Sequence, residues 1–419
     1  MSKKKILLLS HNFSPEPIGI GKYNGEMISW LLNRGYDCTV ITTFPYYPQW
    51  KVQKPYKNRW FKREVTSYAE NHTKLTIYRC PSYIPKDPTG KQRALQDLSF
   101  WVSKFFVVFG MILLNRRYDL IVTIAPPFHL AHLGLLLRKL NGGKLLYHVQ
   151  DMQIEAARDL KLFSQKHVLN SLFKVETSIL KSADYVSSIS EGMIRKIKAK
   201  VDRDVKYFPN WVDTERFYPI PSRENLKTKW GYSKDDIVFL YSGAVGVKQR
   251  LERILVTAQD VAKQPNIKFI ICSSGPYMKS LQEQAAVLGL TNISFMDVQP
   301  KAIFNEFLNM ADIHLVLQIS DAADLVMPSK LSTILAVGGA SIISASQGTS
   351  LHQLAQDHDI GYVIEPQDRK QQDILTNQVL HIAQNGLDLE LKRQNARNYA
   401  VKHLNVDMVM GNFERDFLG

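Results

Sequence analysis

Short apolar runs of four to six residues recur along the chain, each followed by a helix-length segment with one apolar face. In the first half the pattern predicts strands at Lys5–Ser10, Asp37–Thr42, Leu120–Ile124, Lys144–His148 and Tyr185–Ser188, with helices such as Gly21–Arg34 and His167–Ser182 between them. In the second half it predicts strands at Ile237–Ser242, Ile267–Cys272, Ile293–Met296, Ile313–Leu317 and Ser341–Ser344. The runs are apolar at successive positions rather than at alternate ones. Such strands are buried on both faces, and with intervening helices they imply parallel sheets of the α/β class.

A chain of 419 residues exceeds one comfortable core, so two domains are expected. Pro209, Pro219 and Pro221 cluster in Phe208–Pro221, which suits a linker better than a helix or central strand. We therefore divide the sequence into residues 1–216, residues 217–405 and a tail, 406–419. Phe413 and Phe417 give that tail a helical apolar face, able to pack back on the first domain. Two doubly wound domains would hold a ligand in a cleft at the C-terminal ends of their strands.

Charge separates the halves. Residues 1–216 carry 34 Lys and Arg against 18 Asp and Glu, whereas residues 217–419 carry 19 against 21. The first half thus presents a field suited to phosphates, acidic polymers or an anionic bilayer. Cys38, Cys80 and Cys272 share no metal-ligand spacing, consistent with a reducing compartment. A basic start is present, but the apolar run Ile6–Leu9 after it is too short for a signal peptide. A cytoplasmic location is expected.

Three stretches of the second half carry candidate chemistry. In Leu240–Glu252 a strand runs into Gly243 and Gly246, then Lys248, then a helix; glycines admit a phosphate close to the backbone, and the lysine and helix end neutralise it. Ser274 and Gly275 form a small-residue turn after the next strand. Met327–Gly339 sets a proline, Ser329 and Lys330 at one helix start, a second cradle for a diphosphate. Each alone is equally an ordinary strand–helix turn or capped helix. In the first half, His148-Val-Gln-Asp151 ends a strand, so His148 and Asp151 are expected to emerge at a cleft edge, with Glu155 able to share a helix face with Asp151. Asp202-Arg203-Asp204 reads as a solvated turn rather than a metal site.

Taken in order, His148–Asp151, Tyr241–Lys248 and Pro328–Gly339 resemble the family 4 glycosyltransferases of the GT-B fold, in particular the bacterial exopolysaccharide, O-antigen and colanic acid biosynthesis type. The resemblance spans nearly the whole chain. It implies two Rossmann-like domains, a nucleotide-sugar donor held by the second, and retention of anomeric configuration. It also implies that Lys248, Ser329 and Lys330 bind the donor diphosphate, with Gly243 in the turn before them. Ser274, Gly275 and the Met296–Val298 stretch would face the nucleoside, His148 the transferred sugar, and the loop of Gly19 and Gly21 would close on the phosphates. The family commonly places two glutamates eight residues apart about the donor helix. Here Thr333 stands at the second position and Leu325 near the first, with Asp321 and Asp324 close by, so Thr333 is left to meet the ribose. No metal or cofactor is expected, because lysines and helix ends can stabilise the departing diphosphate.

Two segments suggest a membrane. Phe44–Arg63 interleaves aromatic residues, including Trp50 and Trp60, with Lys54, Lys57, Arg59 and Lys62, as a loop resting on anionic headgroups would. Leu98–Leu114 is strongly apolar but short of the roughly 20 residues of a spanning helix, so it is either a buried domain helix or an interfacial one. The expected partners are a nucleotide-sugar donor, a lipid-linked saccharide acceptor and the anionic inner-membrane surface. Nucleic acid is not expected, since no nucleic-acid module signature accompanies these residues. A nucleotide-sugar 2-epimerase of the same architecture, or an inactive sugar-nucleotide-binding protein, are the alternatives; a dehydrogenase is disfavoured because Ser10–Gly21 lacks G-x-G-x-x-G.

Overall fold

The computed structural model describes residues 3–17, 19–86, 90–159, 166–245, 249–318, 328–366, 373–384 and 386–419. The chain forms two compact units, Met1–Pro209 with Met410–Gly419, and Asn210–Val409.

The first unit contains β1 (Lys5–Leu9), β2 (Asp37–Thr43), β3 (Lys62–Tyr68), β4 (Thr73–Cys80), β5 (Leu120–Ala125), β6 (Lys144–Val149), β7 (Tyr185–Ser188) and β8 (Lys206–Tyr207). Their order is β3-β4-β2-β1-β5-β6-β7-β8, with β3 antiparallel to β4 and the other neighbours parallel. The second unit contains β9 (Ile237–Ser242), β10 (Ile267–Cys272), β11 (Ile293–Met296), β12 (Ile313–Val316), β13 (Ala340–Ser344) and β14 (Gly361–Ile364). These run in the order β11-β10-β9-β12-β13-β14, all parallel. The central strands are buried along their length, as uninterrupted apolar runs require.

In each sheet the strand order reverses beside one strand. β1 lies between β2 and β5, and β9 between β10 and β12. The loops leaving β1 and β5, or β9 and β12, diverge to opposite faces. The crevice left at these C-terminal ends is where open α/β sheets bind ligands.

The boundary between units falls at Pro209/Asn210, before the position suggested by the prolines. The reason is hydrogen bonding after Asn210. Val212 N–H donates to Leu404 O at 2.8 Å, and Arg397 donates to Thr214 O and Phe217 O, so this segment is sewn into the second unit. The tail helix Val406–Phe417 ends in the first unit, where Phe413 and Phe417 pack on Phe208.

β3 and β4 were not anticipated, and β3 takes over the end of the aromatic–basic loop at Lys62. β3 is largely exposed, so it carries no apolar signal. The apolar segment expected at Leu98–Leu114 belongs to a longer helix, Gly90–Leu113. Phe100, Lys104, Val108 and Met111 turn inward from it, and it packs on β2 and β4.

Candidate active site

In the second unit the chain leaves β9 through Gly243, whose φ of +147° is reached with strain by residues bearing a Cβ. The turn is lashed to the neighbouring strand end. Gly243 N–H donates to Cys272 O at 3.2 Å, and Ser273 Oγ donates to Gly243 O at 2.7 Å. Exposed Ser274 and Gly275 (φ +109°) follow, and Gly275 precedes the helix Pro276–Val287. Lys330 stands in the first turn of the helix Ser329–Ala336 and reaches the same place. A Cβ on Gly243 would lie 3.4 Å from Lys330 Cδ. The Lys330 ammonium donates to Leu315 O at 2.9 Å and sits 3.5 Å from the Tyr241 ring centroid. Burial pulls its pKa down to about 7. Ser329 is exposed at the helix start, Thr333 is half-buried one turn on, and Val298 is exposed beyond β11.

The sequence reading aimed the Lys330 ammonium at a ligand. The structure instead turns it onto its own unit's carbonyl and ring, though at the junction of the β9 and β12 ends. Lys248 and Gly246 lie outside the described residues, as do Asp321, Asp324 and Leu325.

A further cation was missed. Arg253, in the first turn of the helix Glu252–Asp260, is 8 % exposed, and its Nη1 has no hydrogen-bond partner among the described residues. Burial lowers its pKa, with neighbouring Arg250 adding to the effect. A desolvated guanidinium with an unanswered N–H is costly unless an anion meets it. In the sequence it reads as one more basic residue on an amphipathic helix.

The first unit's switch point is built from side chains. Past β1, the His11 ring stacks on Phe100 at 4.3 Å between centroids, and its Nδ1 lies 3.5 Å from Asp97 Oδ1. His11 Nε2 is buried without a hydrogen-bond partner among the described residues. Lys104 donates from below to Ser10 O at 2.7 Å, its ammonium 3.7 Å from the Phe100 centroid. Asp97 accepts from Gln153 Nε2 at 3.2 Å, yet burial raises its pKa to about 6. Burial likewise pulls His129 down to about 4 and His11 well below the usual histidine range. Glu16, 2 % exposed, accepts from Tyr46 N–H at 3.0 Å, Tyr47 N–H at 2.9 Å and Asn12 Nδ2 at 2.8 Å.

This arrangement explains Gly21 without a phosphate. A Cβ there would stand 2.7 Å from Glu16 Oε2 and 3.4 Å from Phe13 N. Gly19 opens the helix Gly19–Asn33 with φ +61°, beside Tyr47.

Three expectations about this unit are corrected. His148 is 2 % exposed rather than emergent: Nδ1 lies 2.9 Å from Ser187 Oγ, and the ring packs 4.9 Å from Phe208. Burial holds its pKa down at about 3, and its contact with Ser187 joins β6 to β7. Glu155 is buried rather than emergent: its Oε1 pairs with Lys200, which also pairs with Glu176. Trp50 is half-buried, stacked edge-on against Tyr46 and covered by Arg93, whereas Trp60 is 81 % exposed among exposed Lys54, Lys57, Arg59 and Lys62. Asp151 is half-buried; its charge adds to burial in raising the pKa of Tyr47. Asp204 pairs with Lys206, and Arg203 clasps the carbonyls of Ala183 and Asp184. Among the described residues no group of three His, Cys, Asp or Glu side chains could hold a metal ion.

Residues 222–403 match the family Glycosyl transferases group 1, and residues 19–211 match the Glycosyl transferase 4-like domain. Over 99 % of its length and 100 % of the relative's, the chain is 36 % identical to the Escherichia coli (strain K12) protein that bears the name colanic acid biosynthesis glycosyl transferase WcaI. The chain belongs to the family 4 glycosyltransferases. Solved structures agree on the fold. A sucrose-phosphate synthase from Thermosynechococcus elongatus superposes with a TM-score of 0.75 at 15 % identity, covering 99 % of each chain. HepE from Anabaena, in complex with UDP-glucose, gives 0.66 at 14 % identity and 98 % of each chain. The two sheets are therefore those of the GT-B fold, and the enzyme is a glycosyltransferase.

Proposed function

We propose that this glycosyltransferase moves a sugar from a nucleoside-diphosphate sugar to a saccharide carried on a membrane lipid, during synthesis of a surface polysaccharide. The observation that carries the donor half is the switch point of the second unit. Gly243 offers backbone there, Lys330 stands beside it, and Arg253 holds an unanswered buried guanidinium two residues inside the next helix. The relationship to a protein named for colanic acid biosynthesis, and the fold shared with a UDP-glucose complex, support the polysaccharide and the donor class.

The acceptor oxygen attacks the anomeric carbon as the bond from that carbon to the diphosphate oxygen breaks. The hydroxyl proton passes to the departing diphosphate, and configuration is retained. Lys330, Arg253 and the helix start at Ser329 hold the charge left on the diphosphate, so no metal is needed. Thr333 and Val298 border the nucleoside, with Ser274 and Gly275. On the acceptor side we assign the orienting role to Asp151, Asp97 and His11, in place of His148. The enzyme works at the cytoplasmic face of an anionic membrane, where the basic first unit and its loop at Trp60 are held by charge.

The test is a thermal-shift screen of UDP, GDP, ADP and dTDP. Transfer of labelled sugar from the matching donor to a lipid extract, with and without EDTA, then follows. One stabilising nucleotide and EDTA-resistant incorporation into lipid are expected. A chain that binds no nucleotide, or that converts the donor without transfer, sinks the proposal.

A further inference from the structure

The helix Gly90–Leu113 presents two apolar faces, and among the described residues only one of them has a partner. Phe100, Lys104, Val108 and Met111 face the sheet. On the opposite side Leu95, Leu98, Val102, Phe106, Phe109 and Leu113 are exposed, Phe106 to 61 % and Leu113 to 70 %. Their spacing of three and four residues keeps them in one stripe along the helix axis. Residues Gln92–Leu113 are long and apolar enough to cross a bilayer, yet only a third of their most apolar window is buried. Because the other face is committed to the sheet, the helix cannot be surrounded by lipid.

The stripe continues past the helix end. Leu114 is 69 % exposed, and Leu140 is exposed on the helix Ala131–Asn141. That helix is tied here by Asn141 Nδ2, which donates to Met111 O and Arg116 O. Arg116, Arg117 and Lys139 are exposed around this end. The one acid between residues 90 and 118, Asp97, is turned inward beside His11.

We infer that this stripe lies flat in the headgroup–acyl boundary of an anionic bilayer, with Arg116, Arg117 and Lys139 among the phosphates. The inference rests on the membrane reading above and deepens it by naming the inserted element. Charge selects the occupant. In a second copy of this chain, Arg116, Arg117 and Lys139 at the end of the stripe would meet the same basic residues. An anionic surface pairs with every one of them. The apolar area, unlike the loop at Trp60, gains by leaving water whatever the salt concentration.

The experiment is co-sedimentation of the full chain with vesicles of phosphatidylglycerol and phosphatidylethanolamine, at low and high salt. The variant Leu98→Gln/Phe106→Gln/Leu113→Gln changes exposed positions only, and its thermal melting is the control for folding. The triple variant is expected to bind at least tenfold more weakly at both salt concentrations. Lys54→Gln/Lys57→Gln/Arg59→Gln/Lys62→Gln is expected to lose binding chiefly at low salt. A triple variant that sediments like the parent overturns the inference. So does a parent that is dimeric by light scattering and becomes monomeric in the triple variant, since the face then belongs to a second copy. Binding that follows the stripe in a chain without transfer activity upholds the docking and removes the proposed reaction instead.

Discussion

The two units share a parallel sheet with a reversal of strand order, yet they furnish its ligand-binding end in opposite ways. In the second unit that end is mostly backbone: Gly243 and Gly275 at positive φ, a helix start at Ser329, and one lysine leaning on Tyr241. In the first it is filled by interlocked side chains, with His11, Glu16, Asp97 and Lys104 nearly all withdrawn from water. A backbone site suits a ligand part that never varies, such as a diphosphate. A side-chain site can be reshaped by substitution, which suits a ligand part that varies. On that contrast, loss of a polar group such as Glu16 should cost stability in the first unit, and loss of a cation should cost nucleotide affinity in the second.

The largest effect is expected at Glu16. Its carboxylate takes the N–H groups of Tyr46 and Tyr47. Glu16→Ala leaves two buried donors unanswered, at a cost of roughly 3–5 kcal/mol in the first unit. Denaturant unfolding should show this while nucleotide affinity stays within twofold; an unchanged midpoint would mean that water replaces the carboxylate freely.

His148 sharpens the same contrast. As a packing residue between Ser187 and Phe208, its replacement by Ala should cost about 2–4 kcal/mol of stability. The fraction still folded should turn over normally at low temperature. A folded variant with turnover reduced a hundredfold would restore His148 to the chemistry.

In the second unit the balance reverses. Lys330→Ala and Arg253→Ala should each weaken nucleoside-diphosphate binding by about 1.5–3 kcal/mol, a charge-assisted contact apiece. Arg253→Ala should cost little stability, because among the described residues its Nη1 has no partner to lose. Calorimetric titration of the nucleotide found by thermal shift reads both; unaltered affinity in both variants would empty the proposed cradle.

What the sequence disclosed follows the same division. The central strands and the second unit's turns were legible because apolar runs and glycines are local signals. Lys330 was found from the proline and serine beside it. The first unit's cluster was hidden, because His11 and Glu16 lie far in the chain from Asp97 and Lys104, and the two pairs meet only when the helix Gly90–Leu113 crosses the end of β1. Neither a lone lysine inside an apolar helix nor a single acid near its start carries a local signal of such a cluster. His148 misled because a strand end is defined by sequence position, whereas which face its side chain takes depends on what covers the sheet. Here the face is covered by Phe208 and the tail helix. β3 escaped because an exposed edge strand has no apolar periodicity to show.

The smallest effect concerns protons. Burial holds Lys330 near pKa 7, against about 10.4 for a lysine in the unfolded chain. A base depressed in this way contributes stability that is present at high pH and lost as pH falls through 7, because the ammonium then has to form in a desolvated place. A bound diphosphate reverses that preference, since its charge raises the Lys330 pKa again. Above pH 7 nucleotide binding must therefore take up a proton, and affinity should fall by up to tenfold per pH unit, about 1.4 kcal/mol. Below pH 7 the lysine is already charged and this dependence should vanish. Titration calorimetry at pH 8 in buffers of different ionisation enthalpy counts the proton directly. Lys330→Met should bind weakly with no uptake, and Lys330→Arg, charged throughout, should hold its affinity at pH 9. An equal uptake in Lys330→Met would place the proton on another group and separate Lys330 from the diphosphate.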